Sequence, residues 1–290
     1  MSDSIFQNSG CTNTILGSLN QLCAFLPLPY TPDLTTILNR KYGILPDIEP
    51  TSIPKLMYFG IGINGYVCDT GTNGMPEHHK RLPDGRNMDL YCPIPFRMVT
   101  LDNDLTPEER SHYRMRAVKT IKHGSEEETY VCYYLKLIDW DSENVQILRI
   151  NPDGTESNYI FDDSYLRPEP REVATTGGAE ISQDRIIVRA VGKCAVTKNE
   201  LREAMSILYN IDYCTISEFG FYTGEEVYVN DREEYKGPVD DDHADLAGNN
   251  IEAAYVQLAK HKTQMPVTLD GSNSELETQI SFEVANSISI

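Results

Sequence analysis

The sequence predicts a mainly β fold of the β-sandwich type, with about three short helices and an extended N-terminal arm. Three observations predict it. Apolar runs rich in β-branched and aromatic residues recur between residues 55 and 170, among them KLMYFGI, PFRMVTL, ETYVCYYLKLIDW and NVQILRI. The final run, QISFEVANSISI, alternates: Ile280, Phe282, Val284, Ile288 and Ile290 share one face, and Ser281, Glu283, Ser287 and Ser289 the other. The regular strand–helix alternation of a parallel sheet is missing, and no repeat occurs at a solenoid or propeller period.

The punctuation divides the chain into residues 1–50, a docking arm with one short helix; residues 51–170, a β-rich domain with a long Gly/Pro-rich loop and an inserted helix; and residues 171–290, a β-sandwich part with one helix and the terminal strand. In the arm, TPDLTTILNRKYG offers Thr31 as N-cap, Pro32 at the first helical position, Leu34, Ile37 and Leu38 on one face, and Gly43 as the C-terminal stop. The prolines around it and the small apolar surface suggest a segment that gains order by lying on a neighbouring subunit.

In the second part, TPEERSHYRMRAVK opens with a capping box, Thr106 to Glu109 with Pro107 between them, and predicts a helix. NPDG at 151–154 is a turn, since Pro152 presets φ and Gly154 takes the left-handed position, so NVQILRI and TESNYIF form a hairpin. RPEPREVATTGGAE, 167–180, has no periodicity and is a linker or long loop. A second capping box, Thr197 to Glu200, leads a helix with Leu201, Ala204, Met205 and Leu208 on one face. Further strands are IDYCTISEFGFYTG and AAYVQLAKHK, the latter also compatible with a helix.

Composition narrows the function classes. Forty-four acids against 25 bases give a formal charge of −19, which argues against nucleic-acid phosphates and against an anionic membrane as partners. The first ten residues have no basic and apolar leader pattern, and no apolar run reaches the roughly 18 residues of a membrane-spanning helix. Seven scattered cysteines without a C-x-x-C pair suit reduced thiols in a cytosolic product.

Several motifs invite a site. Gly60, Gly62 and Gly65 have the spacing G-x-G-x-x-G behind a strand-like run, but YVCDTGTNGMPEHHKRLPDG has no helical period to present an N-terminus to a pyrophosphate. A glycine-rich strand end with closely packed backbones is expected instead. Cys68, His78, His79 and Cys92 supply zinc-ligand chemistry without the paired knuckle spacing of structural sites. The expectation is a solvated loop whose HHKR, residues 78–81, is a basic spot suited to an acidic neighbour. PVDDDHADLAG, 238–248, lacks the glycine and closing Glu of an EF-hand and reads as a solvated acidic loop. The alternation slips at Ser217-Glu218, which predicts a β-bulge with Glu218 as bulge residue or cross-strand partner. No nucleophile elbow or activating frame is present. No catalytic, cofactor-binding or metal-ligating residue is therefore assigned, no cofactor is expected, and the chain is expected not to be an enzyme.

ISEFGFYTG at 216–224, the acidic insertion after it, AAYVQLAKHKTQMPVTLDGSNSE and the terminal alternating strand resemble structural proteins of tailed-bacteriophage virions. The nearest resemblance is to β-sandwich wedge-type proteins of baseplates and tails, where an I-x-E-[IF]-G-[LF] strand recurs; MYFGIG and LIDW agree with it. The resemblance implies a homo-oligomeric tail or baseplate component, assembled in the host cytoplasm with other virion proteins and carrying no catalytic residues. A neck, collar or head-surface protein is the alternative within the virion. A glycan-binding β-sandwich module of a receptor-recognition device is the alternative of another class.

Overall fold

The computed structural model describes residues 11–26, 38–45, 52–70, 74–123, 126–140, 145–151, 153–160, 185–229, 250–271 and 274–286. The chain is mainly β, with its strands in antiparallel sheets. Contacts gather it into two compact units, Met1–Ile138 with Ala195–Glu277, and Asp139–Cys194 with Thr278–Ile290. The expected boundaries at 50/51 and 170/171 lie outside the described residues.

The first unit begins with β1 (Cys11–Asn13) and α1 (Ile15–Phe25). Thr14 caps α1, its hydroxyl accepting from the Gly17 N–H at 3.0 Å and donating to the Leu258 carbonyl. A Cβ on Gly17 would lie 2.3 Å from the Ala259 oxygen, so glycine lets the helix rest on the strand backbone beneath it. α1 was not expected. ILGSLNQLCAF is apolar over a wide arc, which blurs the one-sided period that marks a surface helix.

α2 (Leu38–Tyr42) ends as expected: Gly43 takes φ +68, the Ile44 N–H donates to the Asn39 carbonyl at 2.8 Å, and the Gly43 N–H donates to the Arg40 carbonyl at 3.4 Å. Thr31 and Pro32 lie outside the described residues. The described residues of the expected docking arm also pack on this chain itself. β1 pairs with residues 260–262 of the same chain, and Leu38, Ile44 and Leu45 are buried in one cluster with Tyr58, Met115 and Leu258. The apolar surface of this segment, small by itself, packs into the core of this chain's sheet.

β2 (Lys55–Gly62) is followed by the hairpin of β3 (Tyr66–Thr70) and β4 (Pro76–Lys80), a two-stranded sheet of its own. Next come β5 (Pro93–Ile94), β6 (Arg97–Thr100), α3 (Pro107–Arg110), β7 (Tyr113–His123) and β8 (Glu126–Leu137). The Thr106–Glu109 capping box is present, with the Thr106 N–H donating to Glu109 Oε2 at 3.0 Å, but its helix lasts one turn. The expected continuation through YRMRAVK is instead β7, paired with β8 from Tyr113↔Lys136 to His123↔Glu126. Tertiary contacts override helix propensity here. Met115 and Ala117 are buried, Arg116 pairs with Asp104 at 2.8 Å, and Arg114 pairs with Glu226 at 2.6 Å.

The second unit's sheet contains β9 (Asp139–Trp140), β10 (Gln146–Ile150), β11 (Glu156–Asn158), most of β12 (Arg185–Thr197) and most of the last strand. The expected hairpin is there: β10 pairs antiparallel with β11, Gly154 takes φ +83, and its N–H donates to the Asn151 carbonyl at 2.9 Å. Among its described residues, Leu148, Ile187, Cys194 and Ile280 are the buried apolar ones. The 167–180 linker lies outside the described residues.

α4 (Lys198–Tyr209) starts at the second capping box, with Leu201, Ala204 and Met205 buried. β13 (Cys214–Tyr228) and β14 (Ile251–Leu269) follow, and β15 (Glu275–Asn286) ends the described chain. The ambiguous AAYVQLAKHK is thus strand. Residues 287–290, expected as the strand's end, lie outside the described residues.

The main sheet of the first unit runs β1-β14-β13-β2-β8-β6, with β5 on β2 and β7 on β8. β13 is buried from Ile216 to Gly224 on both faces, which is why its apolar pattern reads as nearly continuous. Phe59, Phe96, Met98, Tyr133 and Phe219 are fully buried, Phe59 and Phe96 meeting edge to face at 5.3 Å, while Tyr222 belongs with Tyr58 to the cluster that takes in Leu38 and Ile44. A side-chain contact also links β14 to β7, which are not neighbours in that order. The buried Glu252 carboxylate of β14 accepts the N–H groups of Met115 (2.7 Å) and Arg116 (3.0 Å) in β7.

Candidate functional site

The slip at Ser217-Glu218 is a register irregularity. Ile216 faces Val267 and Glu218 faces Thr263, so one residue of β13, Ser217, opposes Gln264, Met265 and Pro266 of β14. The extra residues therefore sit on the partner strand, where Pro266 has no N–H to offer the ladder. Glu218 is turned inward there, with no solvent exposure.

Glu218 is the hub of a polar network. Its Oε1 accepts from the Tyr91 N–H at 2.6 Å and lies 2.8 Å from His261 Nε2, while Oε2 accepts from the Cys92 N–H at 3.3 Å. Asn87 Nδ2 lies 3.0 Å from His261 Nδ1. With the Asn87 amide donating to Nδ1, a neutral imidazole carries its proton on Nε2, facing Glu218. The Tyr91 ring packs 5.1 Å from His261, and the Arg81 guanidinium lies 5.3 Å above the Tyr91 ring. A carboxylate–imidazole pair has acid–base chemistry in principle. Here both side chains are closed to solvent, and the pair instead pins residues 87–92 to the β13–β14 ladder.

The glycine motif serves this network. A Cβ on Gly62 would lie 2.4 Å from Glu218 Oε2, and one on Gly65 would lie 2.2 Å from the Ser217 oxygen. The Gly65 N–H donates to Ser217 Oγ at 3.0 Å. The motif provides close backbone approach, as its context suggested, and it is followed by the strand β3.

The four zinc-type residues separate. Cys68 and His78 are direct cross-strand partners in the β3–β4 ribbon, with Sγ and Nε2 3.7 Å apart and both exposed. His79 lies on the opposite face, 3.6 Å from Asp69, and Cys92 belongs to the loop bound by Glu218. Among the described residues no three His, Cys, Asp or Glu side chains gather closely enough to hold a metal ion. The acidic 238–248 loop lies outside the described residues.

Two further surfaces were not anticipated. An open groove of about 760 Å³ runs between β6 and α4, lined by Arg97, Val99, Thr100, Arg202, Glu203 and Ile207 among others, none of them aromatic. Arg97 and Glu203 face each other in it at 3.6 Å. The other surface is the outer side of α1, where Ile15 (63 % exposed), the half-buried Leu19 and Leu22 (49 %) make one stripe at helical spacing, continued by Leu26 (39 %) at the extended C-cap. The sequence carries its signal, since residues 4–32 contain no charged side chain in a chain of net charge −19.

No helix among the described residues is long and apolar enough to cross a membrane. A family model described as a family of unknown function (DUF7208) matches residues 1–280. No curated protein and no solved structure matches the chain.

Proposed function

The chain belongs to that family of unknown function, DUF7208, and we propose that it is a structural component of a bacteriophage virion, a tail or baseplate (wedge-type) assembly protein without catalytic activity. It works as a homo-oligomer in contact with other virion proteins, is assembled in the host cytoplasm and ends in the particle. It engages neither nucleic acid nor membrane.

The observation that carries this reading is the stripe on α1. A charge of −19 opposes contact between copies through most of the surface, and the charge-free apolar seam of Ile15, Leu19, Leu22 and Leu26 is where such contact costs no electrostatic repulsion. The spacings of four and three residues within α1 suit packing against another helix. The β3–β4 ribbon adds support, because it is a two-stranded sheet whose outer residues Cys68, Asp69, Glu77, His78, His79 and Lys80 are exposed. The sequence resemblance supplies the assembly class. A neck, collar or head-surface position is the alternative within the particle. The glycan-binding reading finds less support, as the groove between β6 and α4 lacks the aromatic platform that sugars stack on.

Electron microscopy of purified tailed particles carrying an epitope-tagged copy tests the reading. The tag is expected at the tail or baseplate end, and its absence from intact particles would overturn the proposal. In solution, a Leu22→Ser, Leu26→Ser variant is expected to sediment as a smaller species than the parent while still unfolding cooperatively.

A further inference from the structure

We infer that Cys68 and His78 form half of a Cys2His2 site for a thiophilic divalent cation, zinc first, completed by the same pair from a second copy of this chain. The inference rests on the homo-oligomeric part of the proposed function.

The geometry of the pair is that of two ligands on one ion. A zinc ion binds thiolate sulfur at about 2.3 Å and imidazole nitrogen at about 2.0–2.1 Å, so two vertices of its tetrahedron stand about 3.6 Å apart. Cys68 Sγ and His78 Nε2 are 3.7 Å apart. Their register permits this distance, because the two residues oppose each other directly on one face of the ribbon. Tyr66, next but one on the same face, stacks on the His78 ring at 6.2 Å and 21°, which holds the imidazole plane. Of the seven cysteines, Cys68 is the exposed one.

One chain supplies half of the ligands and no more. His79 is committed to the other face with Asp69, and no third His, Cys, Asp or Glu among the described residues stands near enough. A tetrahedral ion then needs two ligands from outside, and an S2N2 set is a preferred one for zinc. A two-fold axis through the ion brings the identical pair from a second ribbon, in an isologous contact that also covers the open face of a marginal two-stranded sheet. On binding, each Cys68 thiol releases its proton to solvent and forms a sulfur–zinc bond. Each His78 donates the lone pair of neutral Nε2, and no electron changes hands. The usual knuckle spacing is missing because the two halves lie on different chains.

The test uses the full chain, stripped with a chelator and titrated with zinc alone, then with cobalt as a spectroscopic probe. The expected result is about one zinc per two chains, a shift to twice the starting mass in sedimentation, and the visible and thiolate charge-transfer bands of tetrahedral S2N2 cobalt. Cys68→Ser and His78→Ala each abolish all three, whereas Cys92→Ser and His79→Ala leave them intact. Unchanged thermal unfolding of the two exposed-site variants separates ligand loss from misfolding. About one zinc per chain without a change in mass, binding that survives Cys68→Ser, or no binding at micromolar zinc overturns the inference. Tag position in the particle is independent of these readouts, so failure of the zinc site and failure of the virion role are separately visible.

Discussion

His261 Nε2 lies 2.8 Å from Glu218 Oε1, and neither side chain meets solvent. The pair joins adjacent strands at their register slip and receives the Tyr91 and Cys92 N–H groups and the Asn87 amide from one loop. Removing one member of a buried, hydrogen-bonded pair leaves the other uncompensated. His261→Ala is expected to destabilise the first unit by about 1–3 kcal/mol. Equilibrium unfolding in denaturant measures this, and faster amide exchange at Tyr91 and Cys92 would place the damage in the loop.

Gly65→Ala puts a methyl group where the Ser217 oxygen already is, 2.2 Å away, whereas a Cβ on Gly271 meets nothing within 4 Å. The first substitution is expected to cost about 1–3 kcal/mol through overpacking. The second should stay within about 0.5 kcal/mol. Matched thermal unfolding of the two variants checks the contrast, and equal effects would show that the glycines do not serve close packing.

Glu200 anchors the start of α4 and reaches across to the sheet. Its Oε2 accepts from the Thr197 N–H at 2.8 Å, while Oε1 accepts from Lys136 Nζ at 2.6 Å and Tyr113 OH at 2.7 Å. Burial opposes its ionisation, but the hydrogen bonds from Lys136 and Tyr113 outweigh burial and hold the carboxyl below its ordinary 4.5. A lowered folded pKa means that the unfolded chain binds the proton more readily. The stabilisation is therefore present above about pH 4.5 and is lost as pH falls through the lower folded value. Glu200→Gln is expected to cost about 1–2 kcal/mol at neutral pH, with the gap to the parent closing in acid. Parallel unfolding series over that range measure it.

Thiol chemistry should follow burial. Burial pushes the Cys132 thiol up to about 11 and the Cys214 thiol up to about 12, whereas Cys68 is exposed on the ribbon. In the native, metal-free chain Cys68 is expected to react first with a thiol reagent, and Cys132 and Cys214 only after unfolding. Peptide mapping by mass spectrometry identifies the order, and early labelling of Cys214 would contradict the packing of β13.

What the sequence determined by itself was local. The capping boxes at Thr106 and Thr197, the Gly43 stop and the hairpin turn ending at Gly154 each close within a few residues, so their hydrogen bonds could be written down before any fold was known. The β class was equally legible, because strand composition and period 2 act along the chain. The slip at Glu218 could also be located, since a break in alternation is a one-dimensional signal. Its partners could not. His261 is 43 residues from Glu218, Tyr91 is 127 from it, and Asn87 is 174 from His261, and only the order β14-β13-β2 brings these segments together. The same holds for the strand of YRMRAVK, where local helix propensity lost to pairing with β8 and to the Asp104–Arg116 and Arg114–Glu226 ion pairs. It holds for residues 11–45, whose apolar side chains looked insufficient alone and are covered by β14 and its neighbours. Hydrogen bonds that close within a turn are fixed by neighbouring residues, whereas burial and cross-strand register depend on which distant strand lies alongside, and the tertiary structure decides that.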